Sequence, residues 1–225
     1  MEHDFYWISG SPNSWRAMLT LEHKGVAYSS HRLDPSKREQ KDAAFLVLNP
    51  LGTVPVLKLG GTVITESIAI MAYLERAFPE PRLFGETAAE TGLIWQRIFE
   101  FVNGVRNLID EGVVRPLGHG TEGDDGVALK ASAKAVHAAL AKLEGVLRAS
   151  DYLAGSRVSA ADFTVVPNLQ MLLRLGSHPS ALALDLEFDE VRPSYPAIAE
   201  WLARLEMMPA YQASYPPHWR LTPPG

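Results

Sequence analysis

Short apolar runs and helical repeats of apolar positions alternate through the first third of the chain. Four apolar or β-branched runs have the length and composition of strands, at residues 5–9, 26–33, 54–59 and 62–65. Apolar positions recur at helical spacing in three further stretches, which start near Ser14, at Ser36 and at Ser67. The predicted order of elements in this part of the chain is therefore β-α-β-α-β-β-α.

Glycine and proline set the ends of these elements. Gly25 follows the first helical stretch in the way that a glycine ends a helix. Pro50 stops the second stretch, since a proline disfavours helical backbone in the residue before it. Gly60 and Gly61 separate the last two strands and allow the positive φ of a tight hairpin turn. We therefore expect a parallel pair of strands followed by an antiparallel hairpin.

The rest of the chain shows only helical periodicity. It is strongest at residues 93–114, 127–149, 160–175 and 195–205, and a glycine-rich loop is predicted at 118–126. Pro79-Glu80-Pro81 and the small residues 85–89 have the composition of a linker. We expect a first domain at residues 1–80 and an all-helical second domain at residues 88–225.

Composition and charge narrow the possible classes of protein. The 225 residues are 47% hydrophobic with a formal net charge of −5, enough for two cores and without the basic excess that binds nucleic acid or anionic lipid. No apolar run is long enough to cross a bilayer, and the acidic start lacks the layout of a signal peptide, so we expect a cytoplasmic protein. Cysteine is absent, which excludes disulfides and a protein thiol nucleophile, and the seven scattered histidines predict no metal site.

Four segments resemble those of a known family. They are Ser11-Pro12-Asn13-Ser14-Trp15-Arg16, Asn49-Pro50-Leu51-Gly52-Thr53-Val54-Pro55-Val56-Leu57, Glu66-Ser67-Ile68-Ala69-Ile70 and Ser159-Ala160-Ala161-Asp162. In this order and at these separations they resemble the glutathione transferase superfamily, over nearly the whole chain. The resemblance implies a thioredoxin-like α/β N-terminal domain, an all-α C-terminal domain, glutathione as cosubstrate, a small hydrophobic electrophile and a homodimer. The last segment also has the form of a capping box, so we expect its role to be structural.

The resemblance implies contacts for two parts of glutathione. Pro55 opens a strand that we expect near the middle of the sheet, where a proline is normally excluded. The alternative is that this strand lies at the edge of the sheet, where a proline is tolerated. In the family the matching Val54–Pro55 bond is cis, and the backbone of Val54 pairs with the cysteinyl residue. Ser67 is expected to cap the helix that starts there and to bind the γ-glutamyl carboxylate, while Glu66 receives the ammonium group.

For the third part of glutathione, its glycyl carboxylate, this chain departs from the usual residues of the family. Thr53 stands where many family members have a lysine or glutamine before Val-Pro, so a long donor is missing. Gln40 or Lys41, in the helical stretch before Asn49-Pro50, is expected to supply this contact instead.

The catalytic prediction concerns the turn after the first strand. A free thiol has a pKa of about 8.5, so a nearby hydrogen-bond donor and a helix N-terminus raise its thiolate fraction at neutral pH. Ser11 matches the active serine of the theta and zeta branches, and with Ser14-Trp15-Arg16 it resembles the zeta segment Ser-x-x-Ser-Trp-Arg. The segment also resembles a bacterial Thr-Pro-Asn type, in which Asn13 contacts the sulfur. Ser14 is the third candidate and is equally suited to be the N-cap of the helix.

Three functions fit these residues. The first is a transferase that directs the glutathione thiolate at an electrophile, a peroxide or a disulfide. Its apolar second pocket is expected near Phe101, Arg106, Leu108 and Trp219. The second is a zeta-like isomerase that adds glutathione reversibly to a maleyl compound, although Asn13 stands where that branch has cysteine. The third is a non-catalytic scaffold protein of the same fold. Because a scaffold has no need of Val54-Pro55, Glu66 and Ser11 together, we predict an enzyme.

Overall fold

The computed structural model of the chain describes residues 3–119 and 125–221. These residues divide into two compact units. The first unit contains the described residues up to Arg82 and those from Met208 onward, and the second runs from Leu83 to Met207. The change of unit after Arg82 lies between the two domains expected from the sequence. Residues 208–221, which were predicted to be part of the helical domain, belong instead to the first unit.

A four-stranded sheet forms the centre of the first unit. Its strands are β1 (His3–Trp7), β2 (Ser29–Arg32), β3 (Val56–Leu59) and β4 (Thr62–Thr65), in the order β2-β1-β3-β4. β1 is parallel to β2 and antiparallel to β3, and β3 pairs with β4 in the predicted hairpin. Gly60 has φ +58°, the positive value that the tight turn requires. The mixed sheet confirms the predicted order and direction of the strands.

Three helices pack with this sheet: α1 (Pro12–His23), α2 (Ala43–Leu48) and α3 (Ser67–Ala77). The helix predicted from residue 36 to 48 is shorter than expected, because two 3₁₀ turns, Pro35–Lys37 and Glu39–Lys41, precede α2. Arg38 between these turns has φ +60°, a left-handed conformation that does not continue an α-helix.

The core of the first unit lies between the sheet, α1 and α3. Phe5 on β1, Leu57 on β3 and Leu74 on α3 are completely buried in one cluster. Burial of each such side chain contributes about 1.5–3 kcal/mol. This packing fixes three chain segments relative to one another: the turn between β1 and α1, the turn before β3, and the start of α3.

The described residues of the second unit form helices and no strand. The helices are α4 (Ala88–Gly104), α5 (Arg106–Ile109), α6 (Arg115–His119), α7 (Asp125–Ala149), α8 (Ala160–Gly176), α9 (Pro179–Ala183), α10 (Val191–Ser194) and α11 (Pro196–Glu206), with a π-helical turn at Asp110–Val114. The predicted all-helical character of this part is confirmed. Most of the predicted loop at residues 118–126 lies outside the described residues. None of the described helices is long and apolar enough to cross a membrane.

The predicted capping box starts α8 and extends into the core. The Asp162 side chain is completely buried. Its carboxylate accepts four hydrogen bonds, from the backbone N–H groups of Ser159 (2.8 Å) and Leu153 (2.9 Å), the Ser159 hydroxyl (2.8 Å) and the Trp201 indole (2.8 Å). Burial raises the pKa of the Asp162 carboxyl, and the four donors oppose this shift because they favour the carboxylate. Asp162 therefore links the start of α8 to Trp201 of α11 and to Leu153 in the segment before α8.

The last two helices, α12 (Pro209–Ser214) and α13 (Pro217–Leu221), belong to the first unit. Trp15 of α1 is the centre of their contact. The ring centroids of Tyr211, Tyr215 and Trp219 lie 5.2, 5.5 and 5.6 Å from that of Trp15. The Trp15 indole also donates a hydrogen bond to Ser214 Oγ at 3.0 Å. These aromatic residues cover α1 within one turn of its start.

Candidate active site

The first turn of α1 holds the three residues predicted to contact sulfur. Ser11 is the N-cap of the helix, with φ −71° and ψ 119°, and its Oγ accepts a hydrogen bond from Ser14 N at 3.3 Å. Ser14 lies inside the helix and is only 1% exposed, and its Oγ accepts a hydrogen bond from Ile8 N at 3.3 Å. The prediction that Ser14 caps this helix is therefore wrong, because the cap is Ser11.

Ser11 and Asn13 keep hydrogen-bond donors that a ligand can use. The hydroxyl hydrogen of Ser11 and the side-chain NH₂ group of Asn13 have no acceptor among the described residues. Asn13 is exposed and Ser11 is half-buried, whereas Ser14 is closed to solvent. Both open donors stand at a helix N-terminus, where the helix dipole favours a negative charge.

A buried arginine joins this turn to the start of α3. Arg16 has no exposed surface, and its Nη1 donates to Asn13 Oδ1 at 2.9 Å and to Ser67 Oγ at 2.8 Å. Because Arg16 holds the Asn13 oxygen, the NH₂ group of that amide is left for another partner. Asn13 and Ser67 therefore lie in one hydrogen-bonded cluster. Arg16 was not among the predicted site residues, and the signal in the sequence is that Arg16 is the one charged residue between Ser11 and Leu21.

The segment before β3 presents open backbone groups. The Val54–Pro55 peptide bond is cis, as the family resemblance implies. Val54 is half-buried, and neither its N–H nor its C=O has a hydrogen-bond partner in the described parts of the chain. Asn49 Nδ2 holds the preceding residue, since it donates to the Thr53 carbonyl at 2.8 Å and to the Thr53 hydroxyl at 3.0 Å. Val54 thus offers one backbone donor and one acceptor to an extended peptide.

Glu66, directly before α3, has a backbone conformation that is rare for a residue with a side chain. Its φ is +66° and its ψ is +116°, outside the regions that L-residues favour, and such strain is common at ligand-binding sites. Its exposed carboxylate has no hydrogen-bond or ion-pair partner among residues 3–119 and 125–221. Ser67 is the first helical residue and its Oγ accepts from Arg16, so the prediction that its side chain caps α3 is wrong. A carboxylate and uncapped helix N–H groups therefore stand side by side.

Gln40 lies against the residue that precedes Thr53. The Gln40 carbonyl oxygen is 2.7 Å from the position that a Cβ would occupy on Gly52, and Gly52 has φ +59°, so only glycine fits there. The Lys41 ammonium donates to the Leu51 carbonyl at 2.9 Å and is engaged in holding this turn. Gln40 Oε1 is buried and has no hydrogen-bond partner in the described residues. The structure thus brings Gln40 and Thr53 into the same neighbourhood.

The residues expected to build an apolar second pocket belong to different units. Phe101 and Leu108 line a cavity of about 560 Å³ inside the second unit, and Arg106 does not line it. Trp219 belongs to the first unit, where it is 5% exposed and packed on Trp15.

Comparisons with known proteins decide the family. Residues 10–77 match the model of the glutathione S-transferase N-terminal domain, and residues 126–204 match that of the glutathione S-transferase C-terminal domain. The chain is 32% identical over 224 residues to glutathione S-transferase A of Pleuronectes platessa, which covers 97% of this chain and 93% of that protein. The chain belongs to the glutathione S-transferase family.

Two further similarities agree with this family. The transferase chain is 27% identical over 207 residues to maleylacetoacetate isomerase of Mus musculus, which covers 90% of this chain and 87% of that protein. The crystal structure of a glutathione S-transferase from the Antarctic clam Laternula elliptica has a TM-score of 0.83 and 28% identity, and covers 100% of this chain and 96% of that one. The predicted glutathione transferase fold and the prediction that the chain is an enzyme of this family are confirmed.

The glutathione S-transferase family uses glutathione as cosubstrate, and the open polar groups of the first unit are suited to a peptide. They comprise two side-chain donors at the start of α1, a free backbone pair at Val54, and a carboxylate beside helix N–H groups at Glu66. No group of three or more His, Asp or Glu residues is placed to hold a metal ion within the described parts of the chain. The open groups of the first unit thus comprise hydrogen-bond donors, one backbone acceptor and one carboxylate.

Proposed function

We propose that this glutathione S-transferase binds glutathione in the first unit, stabilises its thiolate at the start of α1, and directs the sulfur at an electrophilic, peroxide or disulfide substrate. The observation that carries the proposal is the hydrogen-bonded cluster around Arg16. One buried guanidinium holds Asn13, a donor for sulfur, and Ser67, at the helix start that receives the γ-glutamyl group. Glutathione has its thiol in the middle and its zwitterionic group at one end, so one molecule can contact Asn13 with its sulfur and the helix start at Ser67 with its γ-glutamyl group.

Each part of glutathione has a matching group in the proposed site. The γ-glutamyl ammonium pairs with the Glu66 carboxylate, and the γ-glutamyl carboxylate accepts hydrogen bonds from the first N–H groups of α3 at Ser67. The cysteinyl backbone pairs with Val54 as an added strand. The glycyl carboxylate extends toward Thr53 and Gln40, whose hydroxyl and amide groups are donors.

Ser11 and Asn13 are the proposed sulfur donors. A hydrogen bond to a charged acceptor contributes about 1.5–3 kcal/mol, which corresponds to a pKa change of about 1–2 units. Ser14 has a structural role in this proposal, because it is 1% exposed and accepts from Ile8 N. When the thiolate forms, its proton passes to solvent. The sulfur then forms a bond with the electrophilic atom of the second substrate, whose leaving group departs with the electron pair.

We also propose that the enzyme is a homodimer. Phe99 of α4 is 51% exposed. It stacks on Trp95, one helical turn earlier on the same face, with ring centroids 5.6 Å apart. Exposed aromatic side chains in one group are typical of protein interfaces. A second copy of the chain on this face of α4 buries Phe99.

The isomerase of Mus musculus supports a second candidate function, the reversible addition of glutathione to a maleyl compound. Both functions use the same bound thiolate. Asn13 stands where the zeta branch has a cysteine, so the transferase reaction is the first candidate. Release of a leaving group into solution distinguishes the transferase reaction from an isomerisation, which releases none.

The test of the proposed function is the pKa of the glutathione thiol on the protein, followed by the absorbance of the thiolate between about pH 5 and 9. We expect the wild-type protein to hold this pKa well below about 8.5. Ser11→Ala and Asn13→Ala are each expected to raise it by about 1 unit, because each removes one donor to the sulfur.

Two further serine variants make this test specific. Ser14→Ala is expected to leave the thiol pKa unchanged and to lower the free energy of unfolding by about 1 kcal/mol, through the lost hydrogen bond to Ile8 N. Ser194→Ala, at an exposed position of α10, is the control for both measurements. A wild-type thiol pKa equal to that of free glutathione, or a shift that survives both Ser11→Ala and Asn13→Ala, contradicts the proposal.

A further inference from the structure

A cavity of about 540 Å³ lies in the first unit, next to the turn that carries Ser11. We refer to it as the Arg32 cavity. Its polar lining comes from the turn after β1, from the segment that ends β2 and follows it, and from α13: Ser9, Arg32, Asp34, Lys37, Glu39 and His218. None of the residues proposed to hold glutathione lines it. The cavity is therefore distinct from the proposed glutathione site and lies beside its sulfur-binding turn.

Arg32 is the charged group of this cavity that lacks an anionic partner. Its guanidinium forms no hydrogen bond or ion pair with another residue in the described parts of the chain, and it lies over the Trp7 ring at 5.9 Å from the ring centroid. The carboxylates of the cavity are engaged, because Asp34 pairs with Lys37 at 3.6 Å and Glu39 accepts a hydrogen bond from Asp34 N at 2.7 Å. The guanidinium donors of Arg32 are thus available to a ligand.

The tail of the chain brings the Arg32 cavity close to the sulfur turn. His218 Nδ1 lies 2.7 Å from Ser9 Oγ. His218 Cε1 lies 2.9 Å from the position that a Cβ would occupy on Gly10, and Gly10 has φ +84°, so both the contact and the backbone conformation require glycine. Ser11 is the next residue. One wall of the cavity is therefore separated from the proposed sulfur donor by a single residue.

We propose that the Arg32 cavity binds a carboxylate of the second substrate, so that the enzyme prefers acidic electrophiles to their uncharged counterparts. This inference rests on the proposed function. A planar guanidinium recognises a carboxylate through paired, charge-assisted hydrogen bonds. In the reaction the thiolate sulfur forms a bond to the electrophilic carbon, the bond to the leaving group breaks, and the leaving group takes the electron pair. The carboxylate is unchanged and serves to orient the substrate.

A matched pair of acceptors tests the inference: 4-chloro-3,5-dinitrobenzoate and its methyl ester. Glutathione displaces chloride from the same ring carbon in both, and the intrinsic difference in reactivity between acid and ester is the same for every variant, so a change in their ratio of kcat/KM between wild type and variant reports contacts to the carboxylate. We expect Arg32→Gln to lower the acid-to-ester ratio about tenfold, since it removes a charge-assisted hydrogen bond. Arg76→Gln, at an exposed arginine of α3 outside the cavity, is the control and keeps the wild-type ratio.

Glutathione itself has a glycyl carboxylate of the same chemistry, so the assay is repeated with the glycyl ethyl ester of glutathione. If Arg32 holds the acceptor, the ratio still falls in Arg32→Gln with this donor. Suppose instead that Arg32→Gln raises KM for glutathione but not for the glycyl ethyl ester of glutathione, and does so equally with the acid acceptor and the methyl ester acceptor. Arg32 then holds glutathione and the inference is wrong.

Two other outcomes also decide the inference. An acid-to-ester ratio that is the same in wild type and Arg32→Gln overturns it while the proposed function stands. A protein that binds no glutathione and conjugates neither acceptor overturns the proposed function, and this inference with it.

Discussion

Replacing Asp162 with asparagine is expected to lower the free energy of unfolding by about 3–5 kcal/mol. Asparagine has nearly the same size as aspartate, so the substitution leaves no cavity. The carboxylate now accepts four hydrogen bonds, two from Ser159 and one each from Leu153 and Trp201. The NH₂ group of an asparagine, however, must face some of these donors. Those donors are buried and lose their acceptor, which is the most costly kind of polar change in a core. Urea unfolding followed by far-ultraviolet circular dichroism measures the effect.

Asp189→Asn is the matched control for this measurement. Asp189 is an exposed aspartate of the same unit, so the same chemical change there is expected to alter the free energy of unfolding by less than about 0.5 kcal/mol. Equal unfolding midpoints for Asp162→Asn and Asp189→Asn contradict the structural role of the capping box.

Replacing Arg16 with methionine is expected to lower kcat/KM for conjugation about 100-fold, since misplacement of a site by about 1 Å has effects of this size. Arg16 contacts no part of glutathione in the proposed site, and it acts by positioning Asn13 and Ser67. Without it the Asn13 amide is free to rotate, and the start of α3 loses its link to α1. We therefore expect the thiol pKa of bound glutathione to rise by about 1 unit and glutathione affinity to fall. Arg16→Lys keeps the charge but not the planar donor group, and is expected to recover part of the loss.

Leu19→Ala separates this positioning role from ordinary core packing. Leu19 is a buried residue of the same helix, 1% exposed, and its truncation is expected to lower the free energy of unfolding by about 2–5 kcal/mol. It is not expected to shift the thiol pKa, because it donates no hydrogen bond to a site residue. If Arg16→Met lowers stability but leaves the thiol pKa at the wild-type value, Arg16 is a core residue only.

Local interactions explain which elements of the fold were predictable. The β3–β4 hairpin and the start of α8 follow from Gly60-Gly61 and from Ser159 and Asp162, whose roles depend on residues within a few positions. The 36–48 segment was not predictable from apolar spacing. There the Asp34 side chain caps a 3₁₀ turn through Ser36 N at 2.9 Å, and Arg38 adopts a left-handed conformation, and both are polar or backbone effects that periodicity ignores.

Tertiary contacts explain what the sequence could not show about the tail and the site. The packing of Tyr211 and Trp219 on Trp15 joins residues at opposite ends of the chain. The link from Arg16 to Ser67 exists only because α1 and α3 share one core. Serines stand near the start of both helices, and only the backbone angles show which residue is the cap.

Calorimetric titration of glutathione is the decisive measurement for the proposed site. The wild-type protein is expected to bind glutathione with a Kd between about 1 μM and 1 mM, the usual range for an enzyme and its substrate. Glu66→Gln removes the anionic partner of the γ-glutamyl ammonium and is expected to weaken binding tenfold or more, by about 1.5 kcal/mol or above. Glu200→Gln, at a glutamate whose side chain is 75% exposed on α11, is expected to bind like wild type. Absence of binding to the wild-type protein, or equal affinity of wild type and Glu66→Gln, contradicts a glutathione site at the start of α3.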